Sequence, residues 1–297
     1  MGSTLQTYWV ETRALCIVAA AALSLAAKDK PPTPWQLVKT PAPGPARSIG
    51  EYTAGCVQGA VALPVDGEGY QVMRPKRLRH FGHPELVDYV QTLGREAHAA
   101  GLGPILVGDL SQPRGGRAPD GHASHQTGLD ADLWYTFPAQ AKSRALTPAE
   151  RERLRPPSVI DAKAGKIRAE WRPRVVQLLE LAASDARVSR VFVNPIIKRD
   201  LCASPSGERG WLEKIRPWYG HDAHFHVRLG CPKESDACTA QDPIPAGDGC
   251  GADLGWWFSE EARKDREEAR EKYQAKVASG GGQPPAACEA LVQDIKR

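Results

Sequence analysis

One short segment, residues 129–134, alternates apolar and acidic residues, a pattern that predicts a β-strand. Successive side chains of a strand point to opposite faces of the sheet. Leu129, Ala131 and Leu133 would therefore face a hydrophobic core, whereas Asp130 and Asp132 would face the other way. A helix would scatter these groups around its axis, so the acidic pair would lose its common face.

A second alternating segment lies downstream and carries histidines at its polar positions. Phe225 and Val227 would pack into the core, whereas His224, His226 and Arg228 would point to the opposite face. Two such strands, each with an apolar back and a front of metal-binding residue types, would form a rigid platform for a functional site.

Other parts of the chain show helical patterns. Pro84 opens a helix with apolar residues at helical spacing, and Gly101 ends it. Thr147 and Glu150 form a capping box at the start of another helix, and Pro173 opens a third. Short buried strands are expected at 105–107 and 191–193, and a loop at 111–127 would carry His122 and His125 into the acidic strand.

The mixture of short strands and helices, without a recurring βαβ rhythm, favours one fold class. We expect an α+β protein with a small antiparallel sheet flanked by helices and long loops. Residues 260–276 are almost entirely charged and predict a solvent-exposed helix, and a Gly- and Pro-rich linker follows them.

Composition supports an ordinary globular protein. Of the 297 residues, 41% are hydrophobic and 25% charged, and the formal net charge is only +4. The positive residues are spread along the chain and no nucleic-acid-binding module is evident, so we expect no nucleic-acid partner. The 25 prolines and 28 glycines predict many loops.

The first 27 residues have the pattern of a secretory signal peptide. Arg13 precedes an apolar run that ends in small residues and is short for a membrane span. Cleavage after Ala26 or Ala27 would leave no transmembrane anchor, the alternative being an uncleaved anchor helix. The Pro-rich residues 28–50 predict a poorly ordered lead-in to the folded domain.

Cleavage would also remove Cys16 and leave six of the seven cysteines. An even number in an oxidising compartment predicts three disulfides, and the sequence alone leaves their pairing open. Cys231 and Cys238 are near enough to close a small loop. A thiolate metal site is disfavoured because the chain has no Cys-x-x-Cys pair.

Five of the eight histidines fall in two short segments, which indicates a metal site. His125, Asp132 and His226 would supply three ligands and leave one position open, as catalytic zinc requires. Zinc-bound water loses a proton near neutral pH and can attack a carbonyl as hydroxide. His122 is a further candidate ligand, or it orients one.

The remaining histidines of these segments have candidate catalytic roles. His224 would share a face with His226 and could take or relay a proton, and His221 could stabilise a developing oxyanion or position His224. Asp130 could support a ligand from behind. Arg216 and Arg228 could hold a substrate carboxylate, although a solvated or salt-bridged arginine is the more common role.

The chain resembles the penicillin-insensitive murein endopeptidases. The resemblance rests mainly on the two histidine segments, Gly121–Asp132 and His221–Leu229, and it covers roughly residues 50–258, with Cys288 matching near the end. Further matching segments, in the same order along the chain, are Tyr70–Arg74, Phe81–Pro84, Phe192–Pro195, Lys214–Trp218 and Gly247–Gly251.

This resemblance implies a periplasmic zinc metallopeptidase that cuts the D-alanyl–meso-diaminopimelyl cross-link of peptidoglycan and is insensitive to penicillin. It also implies the α+β core shared with lysostaphin-type and D-Ala-D-Ala metallopeptidases. The implied ligands are His125, Asp132 and His226, with His122 near the metal, and His221 and His224 would be catalytic. The implied disulfides are Cys56–Cys288, Cys202–Cys250 and Cys231–Cys238.

One zinc site is expected. Family members can hold a second metal through an Asp and a His after the first motif; here Asp161 is present, but no histidine lies between His125 and His221. The expected organisation is a signal peptide at 1–27, a lead-in at 28–50, a zinc metallopeptidase domain at 51–258, and a charged helix, linker and C-terminal segment at 259–297.

Two other functions stay open at this point. A D,D-carboxypeptidase or dipeptidase could use the same site, and a non-catalytic murein-binding protein could retain a metal without turnover. The expected partner is cross-linked peptidoglycan. The sequence does not determine the oligomeric state, a dimer being one option.

Overall fold

The computed structural model describes residues 33–119, 122–203, 207–278 and 283–293. The expected signal peptide at 1–27 lies outside these ranges. The strands are β1 (Arg47–Glu51), β2 (Ala54–Gln58), β3 (Val61–Ala62), β4 (Asp66–Gly67), β5 (Tyr70–Val72), β6 (Phe81–Gly82), β7 (Ile105–Val107), β8 (Asp130–Trp134), β9 (Ile160–Asp161), β10 (Lys166–Ile167), β11 (Val188–Val193), β12 (Ile215–Pro217) and β13 (His224–Leu229).

The α-helices lie before, between and after groups of these strands. They are α1 (Pro34–Leu37), α2 (Pro84–Ala99), α3 (Pro148–Arg153), α4 (Arg172–Ser184), α5 (Pro195–Cys202), α6 (Ala252–Trp256), α7 (Glu260–Ala278) and α8 (Ala286–Gln293). The expected α+β class, the three helix starts and the two short buried strands are confirmed. None of the helices in the described ranges has the length and apolar character that a membrane span requires.

A seven-stranded sheet in the order β12-β11-β13-β8-β7-β5-β4 organises the fold. Its centre, β11-β13-β8, is antiparallel as expected. Outside this antiparallel core two pairs are parallel, since β5 pairs with β7 and β11 pairs with β12 in parallel. Parallel neighbours need a crossover, and α2 and α5 lie in the two connections.

The back of this sheet forms the main hydrophobic core. Phe225, Val227 and Leu229 of β13 are fully buried, as are Ala131 and Leu133 of β8. They belong to one cluster with the apolar faces of the two long helices α2 and α4, which include Leu86, Leu93, Leu178 and Leu179. Because side chains alternate along a strand, the polar side chains of β8 and β13 lie on the opposite face of the sheet, which we call its front.

The described residues 33–50 contain α1 and the start of β1, where the sequence predicted a poorly ordered lead-in at 28–50. Trp35 of α1 is buried, and its indole lies so close to Gly116 that a Cβ there would stand 2.0 Å from the ring. Strand β1 pairs antiparallel with β2 over five residue pairs. Burial of a large aromatic side chain and a complete strand pairing fix this segment despite its prolines.

The C-terminal part begins with an exposed helix and is tied back by a disulfide. Of the side chains described in α7, only Ala262 is buried, which confirms the solvated helix expected at 260–276. The disulfides join Cys56 to Cys288, Cys202 to Cys250 and Cys231 to Cys238, the same three pairs that the family resemblance implied. The first of them fixes α8 to β2.

Candidate active site

Two adjacent strands bring the acidic and histidine segments together on the front of the sheet. The antiparallel register sets His226 of β13 opposite Asp132 of β8. The Nδ1 atom of His226 lies 3.2 Å from Oδ1 of Asp132, and both residues are buried. Because directly paired residues of neighbouring strands project to the same face, the register alone makes this contact.

The loop before β8 delivers His125 to the same carboxylate. Its ring Nδ1 lies 2.8 Å from the carbonyl oxygen of Leu110, so Nδ1–H donates to that oxygen and Nε2 keeps its lone pair. This Nε2 faces Oδ1 of Asp132 at 3.4 Å. His125 adopts a φ of +66°, a left-handed conformation uncommon for a residue other than glycine and often found at functional sites.

His122 reaches Asp132 from a third direction. Its Nδ1 lies 3.4 Å from Oδ2 of Asp132, while its Nε2 lies 3.1 Å from Oδ2 of Asp109. Arg77 and Arg79 also pair with the Asp109 carboxylate. Burial acts to raise the pKa of Asp109, but the hydrogen bond to His122 and the two guanidinium groups lower it to about 2.

The sequence analysis missed Asp109, which lies in a different segment from both histidine motifs. Its side chain is buried and orients His122 through the ring nitrogen that faces away from Asp132. A usable signal was present, because Asp109 follows the buried strand β7 directly after Gly108. An acidic side chain at the end of a buried strand needs charged partners, and here they are two arginines and a histidine.

Asp130 supports the site from below, as its shared face with Asp132 suggested. It is fully buried, and its Oδ1 lies 2.8 Å from Nε2 of His226 and 2.7 Å from Nε of Arg228. Its Oδ2 accepts the backbone N–H of His125 at 2.9 Å. Burial opposes ionisation, yet Arg228 and His226 hold the pKa of the Asp130 carboxyl well below its usual range.

The side chains around Asp132 fit a metal ion. His125 Nε2 and Asp132 Oδ1 are buried and have no hydrogen-bond partner among the described residues, a costly arrangement unless another group pairs with them. Ligand atoms of His122, His125 and Asp132 all lie within 4.8 Å of one another. Two ligands of one tetrahedral zinc, each at about 2.1 Å from the ion, stand about 3.4 Å apart.

That separation matches what the structure shows for each histidine against Asp132. The nitrogen–oxygen distances are 3.4 Å for His122, 3.4 Å for His125 and 3.2 Å for His226. Each ring also has its other nitrogen held by an oxygen, from Asp109, Leu110 and Asp130 respectively. Such outer partners set the tautomer that leaves a lone pair for a metal.

His221 and His224 lie together beside these residues. They are farther from the Asp132 carboxylate than His122, His125 and His226 are. Their ring centroids are 5.2 Å apart, and Nε2 of His224 is 3.7 Å from Oδ1 of Asp132. His221 has a φ of +50°, and its Nδ1–H donates to the Tyr219 carbonyl at 3.2 Å. Burial, reinforced by His226 and His224, lowers the pKa of His221 to about 3.

Aromatic rings border the site on the β11 side. The Phe192 ring stands edge-on to His226, with centroids 5.4 Å apart, and lies 5.9 Å from the ring of Trp218. Trp218 leaves 54% of its surface exposed, although it also contacts Trp257 at 6.1 Å. The site is therefore bounded by an apolar wall that reaches solvent.

A buried carboxylate that several imidazole nitrogens approach, on the front of an α+β sheet, is an arrangement that defines a candidate metal-dependent hydrolase. The chain belongs to the penicillin-insensitive murein endopeptidase family, whose model matches residues 48–293. The matched range includes both histidine segments and continues through α7 and α8.

Curated relatives with that name support the assignment. A protein of Haemophilus influenzae is 50% identical over 231 residues, covering 76% of this chain and 79% of the relative. One from Klebsiella pneumoniae is 46% identical over 246 residues, covering 82% and 87%. One from Escherichia coli is 46% identical over 248 residues, covering 82% and 86%. Each relative is called a penicillin-insensitive murein endopeptidase, so the chain is a peptidase of that family.

Proposed function

We propose that this protein is a zinc-dependent endopeptidase that hydrolyses the D-alanyl–meso-diaminopimelyl cross-link of peptidoglycan and is insensitive to penicillin. The observation that carries the proposal is the buried Asp132 carboxylate with three imidazole nitrogens at 3.2–3.4 Å, two further histidines beside it, and unpaired ligand atoms. The family and its named relatives supply the substrate class.

The residues that would hold zinc are His125, Asp132 and His226, with His122 as a fourth group facing the same point. A zinc ion bound there would act as a Lewis acid and lower the pKa of a water molecule. Hydrogen bonds within the protein orient two of these side chains. Asp130 binds the His226 ring, and the Leu110 carbonyl accepts a hydrogen bond from the His125 ring. A second metal through Asp161 is not part of the proposal.

His221 and His224 would handle protons during hydrolysis. Burial is the largest cause that lowers the pKa of each ring, so both are neutral near pH 7 and each keeps one ring nitrogen with a lone pair. His221 donates its Nδ1–H to the Tyr219 carbonyl, which leaves Nε2 as the atom that can accept one. A protonated ring could then donate to the leaving amine.

Insensitivity to penicillin follows from the groups assigned to the chemistry. A β-lactam inactivates enzymes that present a nucleophilic serine, because the drug acylates the hydroxyl. The proposed site uses imidazole and carboxylate groups and requires no nucleophilic serine. We therefore expect penicillin to leave turnover unchanged.

We place the enzyme in the periplasm. Three disulfides are typical of an oxidising compartment, and peptidoglycan lies outside the cytoplasmic membrane. The signal-peptide pattern at 1–27 agrees with this location. Mature protein in the periplasmic fraction, shortened at Ala26 or Ala27, would support the placement, whereas uncleaved protein in the membrane fraction would contradict it.

The decisive test is cleavage of a purified 4,3-cross-linked muropeptide dimer. Conversion to monomers, identified by mass, should stop with a chelator, return with zinc and continue in the presence of penicillin. Folded, zinc-loaded protein that leaves the dimer intact would remove the endopeptidase proposal. Release of a terminal D-alanine instead would indicate a carboxypeptidase, and binding without turnover a murein-binding protein.

A further inference from the structure

Arg216 shares the face of the sheet that carries the proposed zinc ligands. The parallel register pairs Arg216 of β12 with Phe192 of β11, and Phe192 is paired in turn with His226 of β13, which is opposite Asp132. The four residues thus form one row across four strands. With neighbouring strands about 4.8 Å apart, the backbone of Arg216 is about 10 Å from that of His226.

The Arg216 side chain is only partly exposed, yet its guanidinium makes no hydrogen bond or ion pair among the described residues. Its Nη1 lies near Gly249, where an added Cβ would stand 3.1 Å away. The arginines one row along are hydrogen-bonded: Arg228 binds Asp130 and Gln241, and Arg190 binds Gln241 and the Asp242 carbonyl. Arg216 therefore differs from its neighbours on this face.

The charge of Arg216 acts on its surroundings. After burial, Arg216 is the next cause that lowers the pKa of Lys198, to about 7, and it also contributes to the lowered pKa of Arg190. A partly buried guanidinium keeps five donors in a planar fork that suits a carboxylate. Phe192 occupies the row position between Arg216 and His226, and its ring stands edge-on to the His226 ring.

We propose that Arg216 binds a carboxylate of the peptidoglycan stem peptide, namely the free carboxylate of the diaminopimelyl residue beside the scissile bond. This inference rests on the proposed function. In that cross-link the carbon attached to the scissile nitrogen also bears the carboxylate, so the anion must lie near the metal site on the side of the leaving amine. On this face, within the part of the chain that the structure describes, Arg216 is a cation whose donors remain available.

The test compares two cross-linked dimers, one with this carboxylate and one with a carboxamide in its place, on zinc-loaded full-length protein. The wild type should cleave the carboxylate dimer with a kcat/KM about tenfold or more above that of the carboxamide dimer, the scale of a charge-assisted hydrogen bond. Arg216→Gln should abolish this preference, mainly by raising KM for the carboxylate dimer. Arg216→Lys, which keeps the charge, should restore part of it.

Arg190→Gln is the matched control. It removes the same charge from the same face, but from a guanidinium whose two terminal nitrogens are already hydrogen-bonded, so the preference for the carboxylate dimer should persist. Equal cleavage of both dimers by the wild type, or an unchanged preference in Arg216→Gln, would overturn the inference. Thermal melting of each variant establishes that it is folded. If Arg216→Gln does not fold, Arg216→Lys still tests the inference.

A second measurement separates this inference from the proposed function. Calorimetric binding of an uncross-linked stem tetrapeptide and of its carboxamide analogue requires no turnover. If neither dimer is cleaved, the endopeptidase proposal fails, whereas tighter binding of the carboxylate peptide that Arg216→Gln abolishes still supports the role of Arg216. If the dimer is cleaved but the two peptides bind alike, only the inference about Arg216 fails.

Discussion

Each of the three imidazoles nearest to Asp132 is oriented by an oxygen on the side of the ring away from Asp132. Asp109 holds His122, the Leu110 carbonyl holds His125, and Asp130 holds His226. A neutral imidazole with one nitrogen donating has a lone pair on the other, so these contacts determine which nitrogen can bind a metal. The residues behind the ligands are thus as much a part of the site as the ligands.

Asp130→Asn should weaken zinc binding while keeping the shape of the side chain. The amide retains a carbonyl for His226 but loses the negative charge that pairs with His226 and Arg228. Loss of such a partner lowers metal affinity by about 10- to 100-fold. A competition titration against a chromogenic chelator measures the change, with Asp88→Asn on α2, an exposed ion-paired aspartate, as control. Equal affinity in both variants would show that Asp130 has no such role.

His221→Ala should keep the metal and lose turnover. The ring is not among the groups within metal-ligand distance of Asp132, but it lies 5.2 Å from the His224 ring. Removal of a proton-transferring side chain reduces kcat by about 10²- to 10⁴-fold. Zinc content by elemental analysis and turnover of the cross-linked dimer are measured together, with the exposed His98→Ala on α2 as control. Full turnover in His221→Ala would exclude a catalytic role for this ring.

At the scale of elements, helix α5 supports the loop that carries Cys250. The Lys198 side chain is fully buried and donates from Nζ to the carbonyl oxygens of Leu212, at 2.7 Å, and Asp248. Burial, followed by the charge of Arg216, lowers the pKa of Lys198 to about 7. A buried amine that satisfies two loop carbonyls fixes the ends of both connections to the helix.

Lys198 should make the stability of the fold depend on pH. The unfolded lysine titrates at its ordinary pKa of about 10.4 and the folded one at about 7. Between these values the unfolded state binds more protons, so this group raises the free energy of unfolding as pH increases from about 7 to about 10. Urea unfolding of the wild type and Lys198→Met near pH 7 and near pH 9 measures it.

The informative quantity is the wild-type free energy of unfolding minus that of Lys198→Met. It should be larger near pH 9 than near pH 7, because the methionine variant lacks the titrating group. Lys264→Met, on the exposed helix α7, serves as the control for replacing a lysine by methionine. A difference for Lys198 that shrinks as pH rises would mean that the folded pKa of this lysine is not lowered.

At the scale of the whole molecule, the disulfides act over very different lengths of chain. Cys56 and Cys288 are separated by 232 positions, whereas Cys231 and Cys238 are separated by 7. A disulfide restricts the unfolded chain more when it closes a longer loop. The Cys56–Cys288 bond, which ties α8 to β2, is therefore expected to contribute more to the free energy of unfolding than the Cys231–Cys238 bond.

Replacing Cys56 and Cys288 together by serine should lower the free energy of unfolding by about 5 kcal/mol, against about 2 kcal/mol for the Cys231 and Cys238 pair, from loop-closure entropy alone. Denaturant unfolding under non-reducing conditions measures both losses. The short-loop pair is the matched control, because the same number of sulfur atoms is removed. Equal losses would show that chain entropy is not the main contribution of the long-range bond.

Several features of the fold could be read from local sequence, and others could not. The alternation in β8 and β13, the capping box at Thr147 and the charged residues of α7 were predicted because each pattern is complete within a short segment. The parallel pairs β5–β7 and β11–β12 were not, because nothing local specifies which strands become neighbours. The ordering of α1 was missed because it depends on Trp35 meeting distant Gly116.

Local sequence specifies which chemical groups are present and which face of its strand each one takes. The period of a strand is two residues, so Asp132 and His226 had to project away from Leu133 and Val227. Packing between distant segments brings Asp109 behind His122, joins Asp130 to His226 and Arg228, and sets Arg216 in the row of the proposed zinc ligands. These contacts depend on sheet order and register, which arise from packing between segments far apart in the chain.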